Sequence, residues 1–189
     1  MLHFIVLVLA AFTPLLGFSE NTDKIKEGDA LLVIDDFNED SISRWQFVSD
    51  QVMGGISTGE VDFVSDGDDA IARMIGSVST ENNGGFIQFR RSISLPDGLT
   101  GLRLRVRGNN QRYFVHIRTG GTVLPWQYYS AEFFASENWD DIFLPFKNFG
   151  RSSRWLNRIL EPSMVRSLGI VAYGRDHQAD IQVSKLEGY

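Results

Sequence analysis

Three arginines at alternate positions, Arg103, Arg105 and Arg107, form the first group in this chain whose spacing points to chemistry. In a strand they share one face of a sheet, where guanidinium groups could hold a carboxylate, a phosphate or a sugar ring. The plainer reading is a solvated face balanced by cross-strand Asp and Glu. Arg107 adjoins Gly108, and a buried pair with Asp50 is the expectation for it, because a buried arginine needs a partner. A second group is aromatic. Trp126, Tyr128 and Tyr129 follow Pro125 at a loop-to-strand junction. Exposed there, they would stack on a sugar ring or receive an apolar partner segment; otherwise they fill a core. Trp155, flanked by Arg154 and Arg158, is a candidate exposed anchor, whereas Trp45 and Trp139 read as core.

Acid–base and metal chemistry find little support. His116 lies opposite Val115 and Ile117 in a strand pattern, which suits a surface or cross-strand role. His177 sits between Asp176 and Asp180, a spacing open to a cation but explained equally by a turn and a strand. Asp66, Asp68 and Asp69 surround a hairpin glycine, where turn chemistry accounts for them. The chain has no cysteine, which excludes disulfides, thiolate metal sites and a cysteine nucleophile. It carries no nucleophile elbow, P-loop or dinucleotide fingerprint. The expectation is a protein that is not an enzyme, with no catalytic residue, metal or cofactor.

The 189 residues, 43% hydrophobic, suit one domain with a proper core. A formal charge of −6 argues against sequence-independent nucleic-acid binding. No apolar run reaches the roughly 18 residues of a membrane-spanning helix. Phe4 to Leu16 is apolar apart from Thr13 and Pro14, and no charged side chain precedes Glu20. Residues 1–19 therefore read as a secretory signal peptide cleaved after Ser19. The alternative is an uncleaved membrane anchor at residues 4–18. Residues 20–30 read as a polar linker, which leaves 31–189 as a single domain exported to a periplasmic or extracellular location.

Positioning these groups falls to strands. Gly59–Val64, Ala70–Val78, Phe86–Arg90, Gly101–Arg107, Arg112–Arg118, Gln127–Phe134, Trp139–Leu144, Ser167–Tyr173 and Ile181–Leu186 read as strands, separated by Gly, Asn and Asp turns. Helical candidates are short, at Trp155–Leu160 and Pro162–Ser167. About ten strands with alternating faces predict an all-β fold, an antiparallel β-sandwich or jelly roll.

One stretch carries more constraint than a turn requires. From Trp45 to Ser57 a strand breaks at Gly54-Gly55, with Asp50 just before the break and Met53 as an apolar filler beside it. Farther along come Asn83-Gly84-Gly85-Phe86, the Leu-Arg-Leu-Arg-Val-Arg-Gly strand with Arg112-Tyr113 after it, and Trp139 followed by Leu144-Pro145-Phe146. In that order the series resembles the complex I intermediate-associated protein 30 family. The resemblance implies a jelly roll like galactose-binding-type domains and a chaperone-like, protein-binding role in assembling NADH:ubiquinone oxidoreductase. On this chain the family's recurring positions fall on Trp45, Asp50, Met53, Gly54, Gly55, Ser57, Gly84, Gly85, Phe86, Arg107, Gly108 and Tyr113. The implied partner is a protein, such as a membrane-complex assembly intermediate. A carbohydrate-binding module is the alternative, with a glycan as ligand. The candidate contact residues for either are Trp126, Tyr128, Arg103, Arg105 and Trp155.

Overall fold

The computed structural model describes residues 31–67 and 69–189. The expected signal peptide at 1–19, the linker at 20–30 and Asp68 lie outside the described residues. Alternation of apolar and polar side chains produces twelve strands among them. In chain order they are β1 (Leu32–Asp35), β2 (Gln46–Ser49), β3 (Thr58–Asp66), β4 (Asp69–Val78), β5 (Phe86–Ser92), β6 (Gly101–Gly108), β7 (Gln111–Thr119), β8 (Tyr129–Ala135), β9 (Asp140–Pro145), β10 (Gly150–Arg151), β11 (Val165–Tyr173) and β12 (His177–Gly188). All pairings are antiparallel. One sheet runs β3-β4-β12-β6-β9, with β1 against the last turnings of β12; the other runs β10-β8-β7-β11-β5-β2. This is the expected β-sandwich.

Leu102, Leu104, Met74 and Ile181 from the first sheet meet Ile87, Phe89, Ile117, Leu168 and Ile170 from the second, all fully buried. Each such side chain contributes roughly 1.5–3 kcal/mol on leaving water. That gain sets which residue of each alternating pair faces inward.

The helical expectations were wrong. Residues 155–160 form turns, and of the second stretch only Pro162–Met164 makes a 3-10 turn before β11. Buried Leu156 and Leu160 imitate helical spacing. The Arg151 guanidinium, however, donates to the carbonyls of Arg154 (3.2 Å) and Leu156 (2.7 Å), holding the loop open. The strand expected from Gln127 begins at Tyr129, because the Gln127 Oε1 accepts from the Val123 and Leu124 N–H groups and closes a turn.

Two buried carboxylates tie the sandwich together. Asp50 accepts from Ser57 N–H (2.9 Å), Ser57 Oγ (2.5 Å), Gly85 N–H (2.5 Å) and Phe86 N–H (3.2 Å). Burial alone would push its pKa up, but these donors outweigh burial and hold it below the usual value. A Cβ on Gly55 or Gly84 would overlap the same carboxylate, which accounts for both glycines. Gly54, at φ +93°, takes the left-handed conformation that ends the turn.

The expected Asp50–Arg107 pair does not exist. Main-chain N–H groups and a serine satisfy Asp50, whereas Arg107 donates to Gln182 Oε1 (3.0 Å) and lies 4.8 Å from the Trp139 ring centre. Met53 is also not a filler but stands exposed. Of these two carboxylates, the one that takes arginines is Asp35. It accepts from Trp45 Nε1 (3.0 Å), Ser41 Oγ (2.5 Å), Phe37 N–H (3.0 Å), Arg44 (3.4 Å) and Arg91.

Candidate functional site

The solvent-facing side of the second sheet carries the most developed arrangement of functional groups. Alternation along β7 buries Tyr113, Val115 and Ile117 and turns Phe114, His116 and Arg118 outward. Register then aligns residues distant in sequence. Ser130, His116, Gly169, Arg90 and Gln46 form one transverse row across five strands. Glu132, Phe114, Val171, Gln88 and Val48 form the next. Tyr173 pairs with Phe86 one step farther.

Four rings cluster over these rows. His116 stacks on Tyr128 at 4.1 Å with 16° between planes, and Tyr173 meets His116 edge-on at 5.5 Å. Phe114 meets Tyr173 edge-on at 5.9 Å. Gly169 lets the Gln88 and Arg90 side chains close over the row beside His116. A Cβ there would fall 2.8 Å from Gln88 Oε1 and 3.2 Å from Arg90 Cβ.

The electrostatics suit holding a ligand more than transferring a proton. Burial drives the His116 pKa down from 6.5 to about 4, so the imidazole is neutral at ordinary pH. Among the described residues no group hydrogen-bonds its buried Nε2. Burial first, then the Tyr173 hydroxyl, pushes the Tyr128 phenol up, so it stays protonated. Glu132, in the row of Phe114, lies 3.4 Å from Arg112. Among the described residues no group of three His, Asp and Glu side chains could hold a metal. Aromatic faces beside an amide, a guanidinium and hydroxyls bind polar ring-bearing or peptide ligands without covalent chemistry.

The residues nominated from sequence do not gather at one place. Tyr128 belongs to this face. Arg103 and Arg105 lie on the outer side of the other sheet, where Arg103 pairs with Glu187 (2.5 Å) and Asp141 (2.8 Å), and Arg105 lies 3.7 Å from Asp141. They follow the plainer reading of a balanced sheet face. Trp139, expected in the core, lies there too, with Arg105 and Arg107 over its ring. Trp126 and Trp155 are exposed on loops at one end of the sandwich. Tyr129 is core. Asp176 accepts from Thr80 N–H and Oγ1 (both 2.7 Å) and Asp180 pairs with Arg73 (2.7 Å), so neither joins His177 in a cation site.

Sequence reasoning missed Phe114, Tyr173, Gln88, Arg90 and Gly169. Alternation marks each as outward-facing, but only register shows that they are neighbours. Among the family positions, Trp45 is core, and Asp50, Gly55, Ser57, Gly84, Gly85 and Phe86 form the buried carboxylate corner. Tyr113 is buried, with its hydroxyl donating to Asn109 (2.7 Å) and accepting from Asp180 N–H (2.9 Å). A groove of about 710 Å³ lies elsewhere, between β1 and residues 91–95.

A family model described as complex I intermediate-associated protein 30 matches residues 35–184. No curated protein matches the chain in sequence. Among solved structures, the family 11 carbohydrate-binding module of the cellulosomal cellulase Lic26A-Cel5E of Clostridium thermocellum is similar, with a TM-score of 0.67 and 14% identity over 84% of this chain and 94% of that one. The Clostridium thermocellum family 11 module in complex with a β-1,3-1,4-mixed-linked tetrasaccharide has a TM-score of 0.65 and 15% identity, covering 84% and 94%. A family 30 carbohydrate-binding module has a TM-score of 0.52 and 12% identity, covering 70% and 83%. At these identities the likeness is one of fold.

Proposed function

Because the chain belongs to the complex I intermediate-associated protein 30 family, we propose that it is a non-catalytic binding module of the assembly-factor kind, taking a partner protein on the outer face of its second sheet. The observation that supports this most is the ring cluster of Phe114, His116, Tyr128 and Tyr173 beside Arg90 and Gln88. Tyrosine and arginine dominate the energetics of protein interfaces, since they bring a large apolar area with a polar tip. A photo-crosslinking residue placed at Phe134, exposed on β8 beside this face, tests the reading. It should capture subunits of a membrane complex, with loss of capture on Tyr173→Ala. Capture unaffected by Tyr173→Ala, or none above background, refutes it.

A second reading has its own support. The flat His116–Tyr128 stack and the flanking Ser130, Gln88 and Arg90 also suit a sugar ring with its equatorial hydroxyls, and the fold is shared with a module solved in complex with a tetrasaccharide. Titration with mixed-linkage β-glucan, followed by amide shifts on β7, β8 and β11, decides between the two. We further infer export from residues 1–19. A cytoplasmic protein with its first residues intact would overturn that part alone.

A further inference from the structure

The end of the sandwich formed by the β7–β8 and β10–β11 loops holds large apolar side chains out in water. Val123 is 81% exposed, Trp126 65%, Trp155 79% and Ile159 69%. These loops are tied down. Ser152 N–H donates to the Tyr128 carbonyl (2.9 Å), Ser152 Oγ to the Trp126 carbonyl (2.8 Å), and Gly120 N–H to the Met164 carbonyl (2.9 Å). The Tyr129 hydroxyl donates to the Asn157 carbonyl (2.9 Å). Leu156 and Leu160 are buried, so the alternate residues Trp155 and Ile159 are turned outward by the same packing.

Charge gathers at the same place. From 151 to 166 the chain carries Arg151, Arg154, Arg158 and Arg166 against a single carboxylate, Glu161, in a protein of formal charge −6. The Arg151 and Arg166 guanidiniums donate to backbone carbonyls, Arg154 lies 5.2 Å from the Trp155 ring centre, and Arg158 is exposed. Among the described residues none of the four is within ion-pair distance of a carboxylate. Tryptophan settles at the headgroup level of a bilayer, arginine is drawn to anionic headgroups, and its stem covers apolar surface while its head stays wet. The hollow between the loops, about 80 Å³, is far below the roughly 300–1,000 Å³ of a ligand pocket. Protruding rings on an uncompensated basic loop fit a flat anionic surface better than a socketed one.

We propose that this end of the sandwich docks on an anionic lipid bilayer, with Trp126, Trp155, Val123 and Ile159 among the headgroups and Arg154 and Arg158 on their phosphates. The inference is independent of what the outer sheet face holds.

The test uses the full chain, so that any association through residues 4–16 is common to all variants. Tryptophan emission is measured with brominated phosphatidylcholine vesicles, with and without phosphatidylglycerol. Quenching should appear with phosphatidylglycerol, fall at high salt, and largely vanish in the Trp126→Phe/Trp155→Phe variant, whose remaining Trp45 and Trp139 lie away from these loops. Arg154→Ser and Arg158→Ser should each weaken the partition roughly fivefold. Unquenched emission on anionic vesicles overturns the proposal and is the result expected if the loops instead contact a protein. Quenching unchanged in the double tryptophan variant, or equal on uncharged vesicles, overturns it as well.

Discussion

Acidification should weaken this domain through an imidazole before it protonates the buried carboxylates. His116 is packed against Tyr128 and Tyr173, and burial lowers its pKa from 6.5 to about 4. The unfolded chain restores the ordinary value, so between the two it is the unfolded state that takes up the extra proton. The stabilisation is complete above about pH 6.5 and is lost as pH falls toward the folded value. Going from about pH 7.5 to about pH 5 should remove about 2 kcal/mol, or about 4–8 °C in Tm for a domain of this size. His177 acts in the same direction, since burial also lowers its pKa, and the assay must separate the two. His116→Phe keeps a flat ring against Tyr128 and removes the titration, while His177→Gln serves as the control. Calorimetric melts across pH should show the acid loss reduced by those few degrees in His116→Phe. Equal losses in His116→Phe and the parent chain would refute the reasoning, because the imidazole would then be as hydrated in the folded protein as in the unfolded one.

The carboxylates define the remaining expectations. Asp50→Asn should cost about 3 kcal/mol, because an amide cannot accept from all four donors, and Gly55→Ala should be as damaging by displacing the same carboxylate. Because the Asp50 pKa is lowered, its stabilisation persists above about pH 4 and is lost below; denaturant titrations of Asp50→Asn at neutral and acid pH would show this as a narrowing gap to the parent. Arg91→Ala should cost about 3 kcal/mol or more, since it strips an ion partner from the fully buried Asp35, whereas Arg73→Ala breaks a solvent-facing pair with Asp180 and should cost at most about 1 kcal/mol. Urea melts of the two variants compare these directly, and equal costs would contradict the burial difference.

The two paired-glycine motifs, Gly54-Gly55 and Gly84-Gly85, were visible as constraints, but sequence did not reveal that both serve one carboxylate. They are about thirty positions apart, and their common centre exists only once β2 and β5 are paired. Expecting an arginine for Asp50 was sound in kind, since a buried charge needs compensation. The compensation came instead from main-chain N–H groups, which any sequence possesses and no side-chain pattern advertises. Trp139 misled for a related reason: aromatic character suggests core, but a ring beneath two guanidiniums is stable on an outer face.

What the sequence determined by itself was the fold class, the family and the inward or outward sense of most strand residues. These follow from period-two alternation and turn residues, which act over a few neighbours. Only the tertiary structure decided that His116, Gly169 and Arg90 share one row, that Phe114, Tyr128 and Tyr173 close over it, and that Trp126 and Trp155 stand at one end. Strand order and register join segments dozens of residues apart, and they are selected by the burial of the whole sandwich. Local pattern assigns a face to each side chain, whereas the packing of both sheets assigns its neighbours.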